Sequence, residues 1–438
     1  MKRLFGTDGI RGIVNDELTV DLAMRLGNSV ARLYNGKYKT LLIAMDTRSS
    51  GQMFEAAITT GAISAGMNVI QCGVIPTPSL AFLTKQKSAV GVMISASHNP
   101  SIYNGLKVMA QGYKIPDEEE VEIENLILKD HMEYSPYGEI GTVEKDSVKE
   151  LYYDYVINTF KGIKNSFRFA VDTGNGAAGA VAGRIFKELE LDCDIYFNSP
   201  DGFNINDRCG STAPETISKI VREKGYDFGV LFDGDADRCL FVDKNGTLVD
   251  GDKLMAINAV KMKQQTRLTG ETVVSTVMSN LGFEEYLCGR GIKLYRTQVG
   301  DKYVLEKMLE ISSNIGGEQS GHIIMLDRST TGDGLITALE TIDTMEFFSK
   351  TIDQLVGEIP EYPQVLKNVA VKDKKKIMTD ERMTAALKKY ETNREIRLLV
   401  RPSGTEHKIR VMTEGKDEKL VSETAQEFVE LIDIIDKE

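Results

Sequence analysis

The sequence predicts an α/β fold with largely parallel sheets, closed by a smaller α+β domain. Three observations carry this expectation. Short apolar, β-branched runs alternate with longer amphipathic stretches over the first three quarters of the chain, the order that α/β units require. That unit recurs at least three times. After Pro360 and Pro363 the composition shifts to Lys372 and Lys374 to Lys376 and the order of elements changes, as at a domain boundary.

Taken in order, Thr40 to Ala44, Ala89 to Ile94, Arg168 to Val171, Phe228 to Phe232, Thr272 to Val277 and Lys293 to Val299 read as strands. Leu22 to Leu33, Val148 to Phe160, Ala180 to Leu189 and Lys302 to Ile311 carry apolar residues at three and four spacing, as helices packed on a sheet do. Glu118 to Glu120 follow Pro116 and Asp117 and read as the acidic first turn of a helix. The last segment offers a strand at Ile396 to Val400, a turn at Arg401 to Thr405, a strand at Lys408 to Met412 and a helix from Lys419 to Ile435. The lysine cluster before it reads as a solvated face.

The chain has 438 residues, 53 Lys plus Arg against 65 Asp plus Glu, and a net charge of −12. This is the composition of a soluble globular protein, with a length that suggests about three domains. No run of apolar residues is long enough for a membrane span and the N-terminus has no signal-peptide pattern, so the expected location is cytoplasmic, with no membrane partner. The acidic balance disfavours nucleic acid, while a local basic cluster could still hold an anionic small molecule. Five scattered cysteines without a C-x-x-C pair read as free thiols rather than a disulfide framework or zinc site.

Four loops could carry chemistry. Asp233-Gly234-Asp235-Ala236-Asp237-Arg238 follows the strand Phe228 to Phe232; in an extended segment its three carboxylates would point one way and would suit Mg²⁺, a hard cation with oxygen ligands. An EF-hand is excluded by Arg238 at the sixth position and Lys244 at the twelfth. The other reading is an Asp-rich hairpin turn. Ser95-Ala96-Ser97-His98-Asn99-Pro100 lies at a strand end, where α/β sites assemble, with His98 and Lys107 as local aids to a serine nucleophile; taken alone, such a serine is a cap. Gly316-Gly317-Glu318-Gln319-Ser320-Gly321-His322 offers polar recognition and a proton donor between glycines. Arg401-Pro402-Ser403-Gly404-Thr405-Glu406, with Arg410 beyond it, is a phosphate cradle or an ordinary turn. A fifth motif, Gly174-Asn175-Gly176-Ala177-Ala178-Gly179, fits the dinucleotide fingerprint, but the strand after it ends in Asn198 and Ser199 where the ribose-binding acid belongs. A tight strand-to-helix turn is the preferred reading over an oxidoreductase.

In this order the Ser97, Asp233, Glu318 and Arg401 loops resemble the signature loops of the α-D-phosphohexomutase superfamily, and the resemblance covers the whole chain. Phe5-Gly6-Thr7-Asp8-Gly9-Ile10-Arg11-Gly12 and Gln319 are similar to the branch that acts on glucosamine phosphates. The resemblance implies three similar mixed-sheet α/β domains plus a C-terminal α+β phosphate-binding domain around a central cleft, with boundaries at 1–147, 148–252, 253–364 and 365–438. It implies a phosphorylated Ser97, with His98 beside it. One Mg²⁺ per chain would be held by Asp233, Asp235, Asp237 and the serine phosphate. Lys107 would be a general base, with Arg11 and Arg238 near the transferred phosphate. Glu318, Ser320 and His322 would meet the sugar, and Arg401, Ser403, Gly404, Thr405 and Arg410 the distal phosphate.

The implied reaction interconverts glucosamine 6-phosphate and glucosamine 1-phosphate through a 1,6-bisphosphate, on the route to UDP-N-acetylglucosamine and the cell wall. Hexose 1,6-bisphosphate or autophosphorylation would activate it, and the partners are small-molecule sugar phosphates, in a monomer or homodimer. Branches acting on glucose or mannose phosphates share the mechanism and usually carry Met where Gln319 stands. A silent ligand-binding relative should lack Ser97 or an aspartate, and here all are present. Two departures from the family pattern are His407, in place of Pro, and Ala236, in place of Gly.

Overall fold

The structure is a computed structural model that describes residues 4–6, 8–129, 131–145, 148–391, 393, 395–403 and 407–438. It divides into two compact units, residues 1–278 with 292–357, and residues 279–291 with 358–438.

Three sheets make up the first unit. The first contains β1 (Ile10–Ile13), β2 (Thr40–Met45), β3 (Asn68–Val74), β4 (Val90–Ile94), β5 (Tyr103–Ala110), β6 (Tyr113–Lys114) and β7 (Val143–Lys145), in the order β1-β5-β4-β2-β3-β7, with β6 paired to β5. The second contains β8 (Phe169–Asp172), β9 (Cys193–Tyr196), β10 (Phe228–Phe232), β11 (Cys239–Asp243) and β12 (Leu248–Val249), and the third β13 (Thr272–Thr276), β14 (Lys293–Thr297), β15 (Ile315–Gly317) and β16 (Ile323–Met325).

One motif runs through all three. A central strand pairs in parallel with one neighbour on each side, and the last of the three turns back into an antiparallel fourth: β3-β2-β4-β5, β9-β8-β10-β11 and β14-β13-β15-β16. The connection before the antiparallel strand must be a turn, whereas parallel neighbours need long crossovers. That turn carries Ser97 in the first sheet, Asp233 to Arg238 in the second and Glu318 to His322 in the third.

The first sheet is covered on both faces, which is why its strands read as unbroken apolar runs. Leu41, Ile43, Val90, Val92 and Ile94 pack on the helices Val20–Leu33 and Gly51–Ser64, while Leu42, Ala44, Ala89 and Met93 pack on the helix Thr77–Gln86. Every predicted strand is present, with ends moved by at most three residues. The helix expected from Ala180 begins at Ala182 instead, after a 3₁₀ turn at Ala177–Ala180.

The second unit is built on the antiparallel sheet β17 (Gln364–Ala370), β18 (Ile396–Pro402) and β19 (Lys408–Gly415), in the order β17-β19-β18. The helix Glu418–Lys437 buries Phe428, Ile432 and Ile435 against Ile409 and Val411 of the sheet. All five cysteines are free thiols. No helix among the described residues is long and apolar enough to cross a membrane.

Candidate active site

The acidic loop is not extended. Between β10 and β11 the chain turns back on itself, and Ala236 takes φ +56°, a left-handed conformation that glycine adopts without a steric cost. The carboxylates of Asp233, Asp235 and Asp237 nevertheless meet, all buried, with one oxygen from each within 4.8 Å of the others. The turn brings them together, not strand alternation. Burial and the neighbouring Asp237 and Asp235 push Asp233 well above the usual carboxylate range, and burial with Asp235 raises Asp237. Oδ1 of Asp235 and Oδ1 of Asp237 accept no hydrogen bond among the described residues. Three buried carboxylates, two of them with an unused oxygen, fit a hard divalent cation.

Ser97 stands at this cluster. Its hydroxyl donates to Asp233 Oδ2 at 2.6 Å and lies 3.4 Å from His98 Nδ1. Burial, with Arg238 and Arg11 nearby, lowers His98 to about 4, so its imidazole is neutral at pH 7. Ser97 itself is left-handed, at φ +52°.

Lys107 projects from β5 and is buried. Its Nζ is 2.8 Å from Asp235 Oδ2 and 3.0 Å from Asp8 Oδ2. Burial opposes its charge, yet Asp235, Asp8 and Asp237 together raise its pKa. In this arrangement Lys107 is an ammonium. Asp8 also pairs with Arg11 and Lys114, and Lys114 reaches Asp301 Oδ2 at 2.5 Å. Nε of Arg11 and Nε of Arg238 have no hydrogen-bond partner among the described residues. Those two donors suit an incoming anion.

The third turn brings up Glu318, Ser320 and His322. Glu318 Oε1 accepts the N–H of Gly300 at 3.1 Å. His322 is buried against Gly332, its Nε2 3.8 Å from Asp301 Oδ2, and Arg238 and His322 form a β-bridge that ties the acidic loop to this one. Gln319 faces the other way: its Nε2 donates to Asp250 Oδ2 at 3.1 Å, and Asp250 caps the helix Gly251–Gln264. That bond ties the loop to the start of this helix.

In the second unit Arg401 on β18 is paired with Arg410 on β19. Like charges directly opposite each other oppose folding, and burial with Arg410 lowers the pKa of Arg401; an anion would relieve both. Ser403 is buried, its N–H on the Lys408 carbonyl at 2.8 Å. Gly404 and Thr405 lie outside the described residues, as do Thr7 and Glu406. Lys374 is half-buried in the otherwise exposed lysine cluster, and its Nζ donates to the Ser403 carbonyl at 2.6 Å.

Sequence reading missed Asp8, Thr77, Lys114 and Asp301. Thr77 holds Asp235 twice, through Oγ1 at 2.6 Å and through its N–H to the Asp235 carbonyl at 2.9 Å. Only Asp8 had a signal, since it sits three residues before Arg11. The glycine-rich motif also has its explanation: a Cβ on Gly176 would lie 2.5 Å from the Gly234 carbonyl oxygen. Gly176 thus packs directly against the acidic loop.

Family models match the whole architecture: phosphoglucomutase/phosphomannomutase α/β/α domain I over residues 2–133, domain II over 150–246, domain III over 250–362 and the C-terminal domain over 366–431. The chain is 46% identical to a phosphoglucosamine mutase of Thermosipho africanus, covering 98% of each chain. It is 46% identical to one of Carboxydothermus hydrogenoformans, covering 99% of this chain and 100% of the relative. A phosphoglucomutase/phosphomannomutase family protein from Burkholderia thailandensis has a similar structure, with TM-score 0.85 at 22% identity over 99% of this chain and 98% of that one. An Aspergillus fumigatus N-acetylphosphoglucosamine mutase, solved with GlcNAc-6P and magnesium, gives TM-score 0.68 at 16% identity over 99% of this chain and 96% of the other.

Proposed function

The chain belongs to the phosphoglucomutase/phosphomannomutase family, and from that premise we propose that it interconverts glucosamine 6-phosphate and glucosamine 1-phosphate. One observation carries the reaction class: the Ser97 hydroxyl sits 2.6 Å from Asp233, on a cluster of three buried aspartates. The substrate rests on the relatives named phosphoglucosamine mutase, 46% identical over nearly the full chain.

Ser97 is the phosphoryl carrier. As phosphoserine it passes its phosphoryl group to the free hydroxyl of the sugar monophosphate; the Ser97 Oγ–P bond breaks, the sugar O–P bond forms, and the sugar hydroxyl's proton ends on Ser97. The resulting 1,6-bisphosphate turns end for end, and Ser97 takes back a phosphoryl group from the other end. Asp233, Asp235, Asp237 and the serine phosphate would hold Mg²⁺, one per chain, which supplies charge neutralisation for phosphoryl transfer. Arg11 and Arg238 bring unpartnered N–H donors to the same charge. Lys107, 2.8 Å from Asp235 and 3.0 Å from Asp8, handles the hydroxyl proton. His98 stays neutral beside Ser97 and adds no charge of its own. His322, Glu318 and Ser320 orient the sugar, while Arg401, Ser403, Gly404, Thr405 and Arg410 grip the phosphate that is not reacting.

A catalyst of this kind is primed by hexose 1,6-bisphosphate or by autophosphorylation, works in the cytoplasm as a monomer or homodimer, and needs no nucleic acid or membrane. Glucose or mannose phosphates stay in the comparison for a specific reason: Gln319, the residue that separated the branches in the sequence, is bonded to Asp250. The test is ³¹P NMR of the protein with Mg²⁺, a trace of hexose bisphosphate and the 6-phosphates of glucosamine, glucose and mannose in parallel, with Ser97→Ala as control. Fastest 1-phosphate formation from glucosamine 6-phosphate is expected. Faster turnover of glucose or mannose 6-phosphate overturns the substrate, and no turnover of any of the three overturns the reaction.

A further inference from the structure

The geometry points to Arg48 as the positioning residue that holds Ser97 in its reactive backbone conformation. The inference rests on the role proposed for Ser97.

Arg48 lies just beyond β2, on the loop that leads into the helix Gly51–Ser64, and its side chain is fully buried. A guanidinium has five N–H donors in a rigid fork, and here each one has an acceptor. Nε donates to Asp46 Oδ2 at 2.9 Å, Nη1 to the carbonyls of Pro100 at 2.6 Å and Tyr103 at 3.1 Å, and Nη2 to those of Ser97 at 3.0 Å and Asn99 at 2.7 Å. Three of these carbonyls belong to the loop that carries Ser97, and the fourth, that of Tyr103, to the first residue of β5 where the loop ends.

The same group reaches the other side of the serine. Asp46 Oδ2 accepts the Ser95 hydroxyl at 2.6 Å, and Ser95 Oγ accepts the Ser97 N–H at 2.9 Å. Both backbone groups of Ser97 are thereby fixed, the N–H through Ser95 and Asp46, and the carbonyl by Arg48, with Asn206 Nδ2 joining at 3.0 Å. A serine in the left-handed region is held there by its surroundings, because an L-residue does not rest there unaided. The purpose of holding it is geometric. Oγ must meet phosphorus in line on every pass, in both phosphorylation states, and a displacement of about 1 Å is enough to cost about 10²-fold in rate. Arg48 touches neither substrate nor the reacting atoms, so it acts through Ser97.

Lysine keeps the charge opposite Asp46 but cannot fork to four carbonyls. Arg48→Lys is therefore expected to lower kcat by about 10²-fold and to slow phosphorylation of Ser97 by ³²P-labelled hexose 1,6-bisphosphate to the same extent. KM for the sugar phosphate should stay within about threefold, because the groups that bind it are untouched. Thermal unfolding checks that the variant is folded. If it is not, Ser95→Ala decides: it frees the Ser97 N–H and takes one donor from Asp46, whose Oδ2 keeps the Arg48 Nε, and is expected to lose about tenfold in kcat and phosphorylation rate at unchanged KM. Wild-type rates in folded Arg48→Lys overturn the inference, as does a loss taken wholly in KM, or wild-type rates in Ser95→Ala when that variant has to decide. A wild-type protein that labelled bisphosphate leaves unphosphorylated overturns the role of Ser97 and this inference with it, whereas labelled wild type with equally labelled Arg48→Lys overturns only the inference.

Discussion

The N–H of Ala177 donates to the carbonyl of Gly234 at 2.8 Å, so the glycine-rich turn after β8 is the floor on which the acidic loop after β10 rests. A side chain at Gly176 would put its Cβ 2.5 Å from that carbonyl oxygen and 2.8 Å from the Gly234 Cα, and a clash with backbone cannot be relieved by a rotamer change. Gly176→Ala should push the two loops apart, at a cost of roughly 1–3 kcal/mol in stability. The three aspartates move with Gly234, so the Mg²⁺ concentration for half-maximal activity should rise about tenfold or more. Titrating activity with Mg²⁺ alongside thermal unfolding checks both.

Asp172, at the end of β8, ties the same region together. Its carboxylate accepts the N–H groups of Gly174 and Gly210, each at 2.8 Å, yet burial outweighs both and raises it to about 7. An unfolded aspartate titrates near 3.9. Between about pH 4 and pH 7 the folded protein therefore holds a proton that the unfolded chain does not. Stability contributed by this proton is full below about pH 4 and is lost as pH rises through about 7, a change on the order of 2–4 kcal/mol. Asp333, raised to about 6 by burial, adds a smaller change of the same sign. His98, lowered to about 4, acts with the opposite sign over the same range, so the Asp172 share is read by difference: in urea unfolding at pH 5 and pH 7.5, in saturating Mg²⁺ so that the three aspartates keep their charge, the wild type should gain more stability, or lose less, on going to pH 5 than Asp172→Asn does.

Gln319 shows where sequence reading and side-chain direction part. As a letter in a motif it separates the glucosamine branch from the glucose and mannose branches; in space it donates to Asp250, the cap of the helix Gly251–Gln264. Gln319→Met should raise KM for glucosamine, glucose and mannose 6-phosphates together, while the ratios of their kcat/KM values stay within about threefold. The lost hydrogen bond should cost about 1 kcal/mol. A clear swing of preference toward glucose or mannose 6-phosphate would return Gln319 to the sugar.

What was legible in the sequence divides along the same line. Buried strands announce themselves as apolar runs, so β2, β4, β8, β10, β13 and β14 were readable, and with them the turns that carry Ser97, Asp233 and Glu318. The short edge strands β6, β7 and β12, of two or three residues each, have no such pattern. The aspartate triad was readable as composition, but its convergence comes from a turn through a left-handed Ala236 and not from strand alternation. Groups whose partners are distant in the chain left no local mark: Lys114 meets Asp301, 187 residues on, and Thr77 meets Asp235, 158 residues on. Arg48 is two residues from Asp46, but the carbonyls that explain it lie about fifty residues later. The lysine cluster after Pro363 followed the common rule for exposed charge everywhere except at Lys374, which only the folding of β18 and β19 brings to Ser403.

The aspartate cluster sets function against stability. Burial and the adjacent Asp235 raise the pKa of Asp237, so at neutral pH its charge opposes folding of the metal-free protein. Asp237→Asn should therefore stabilise that form, by about 1 kcal/mol, as the group is buried and little screened. The wild type should gain more when Mg²⁺ is added, about 2.7 kcal/mol at a hundredfold excess over Kd, whereas the variant, short of one ligand, should gain little. The order of stability then reverses: variant above wild type in chelator, below it in saturating Mg²⁺. Activity of the variant should fall by roughly 10²–10³-fold at any Mg²⁺ concentration. Thermal unfolding of both proteins with and without Mg²⁺ checks the crossing, and a variant that is less stable in chelator as well would mean that Asp237 serves the fold through Lys107 and Arg238 rather than waiting for a cation.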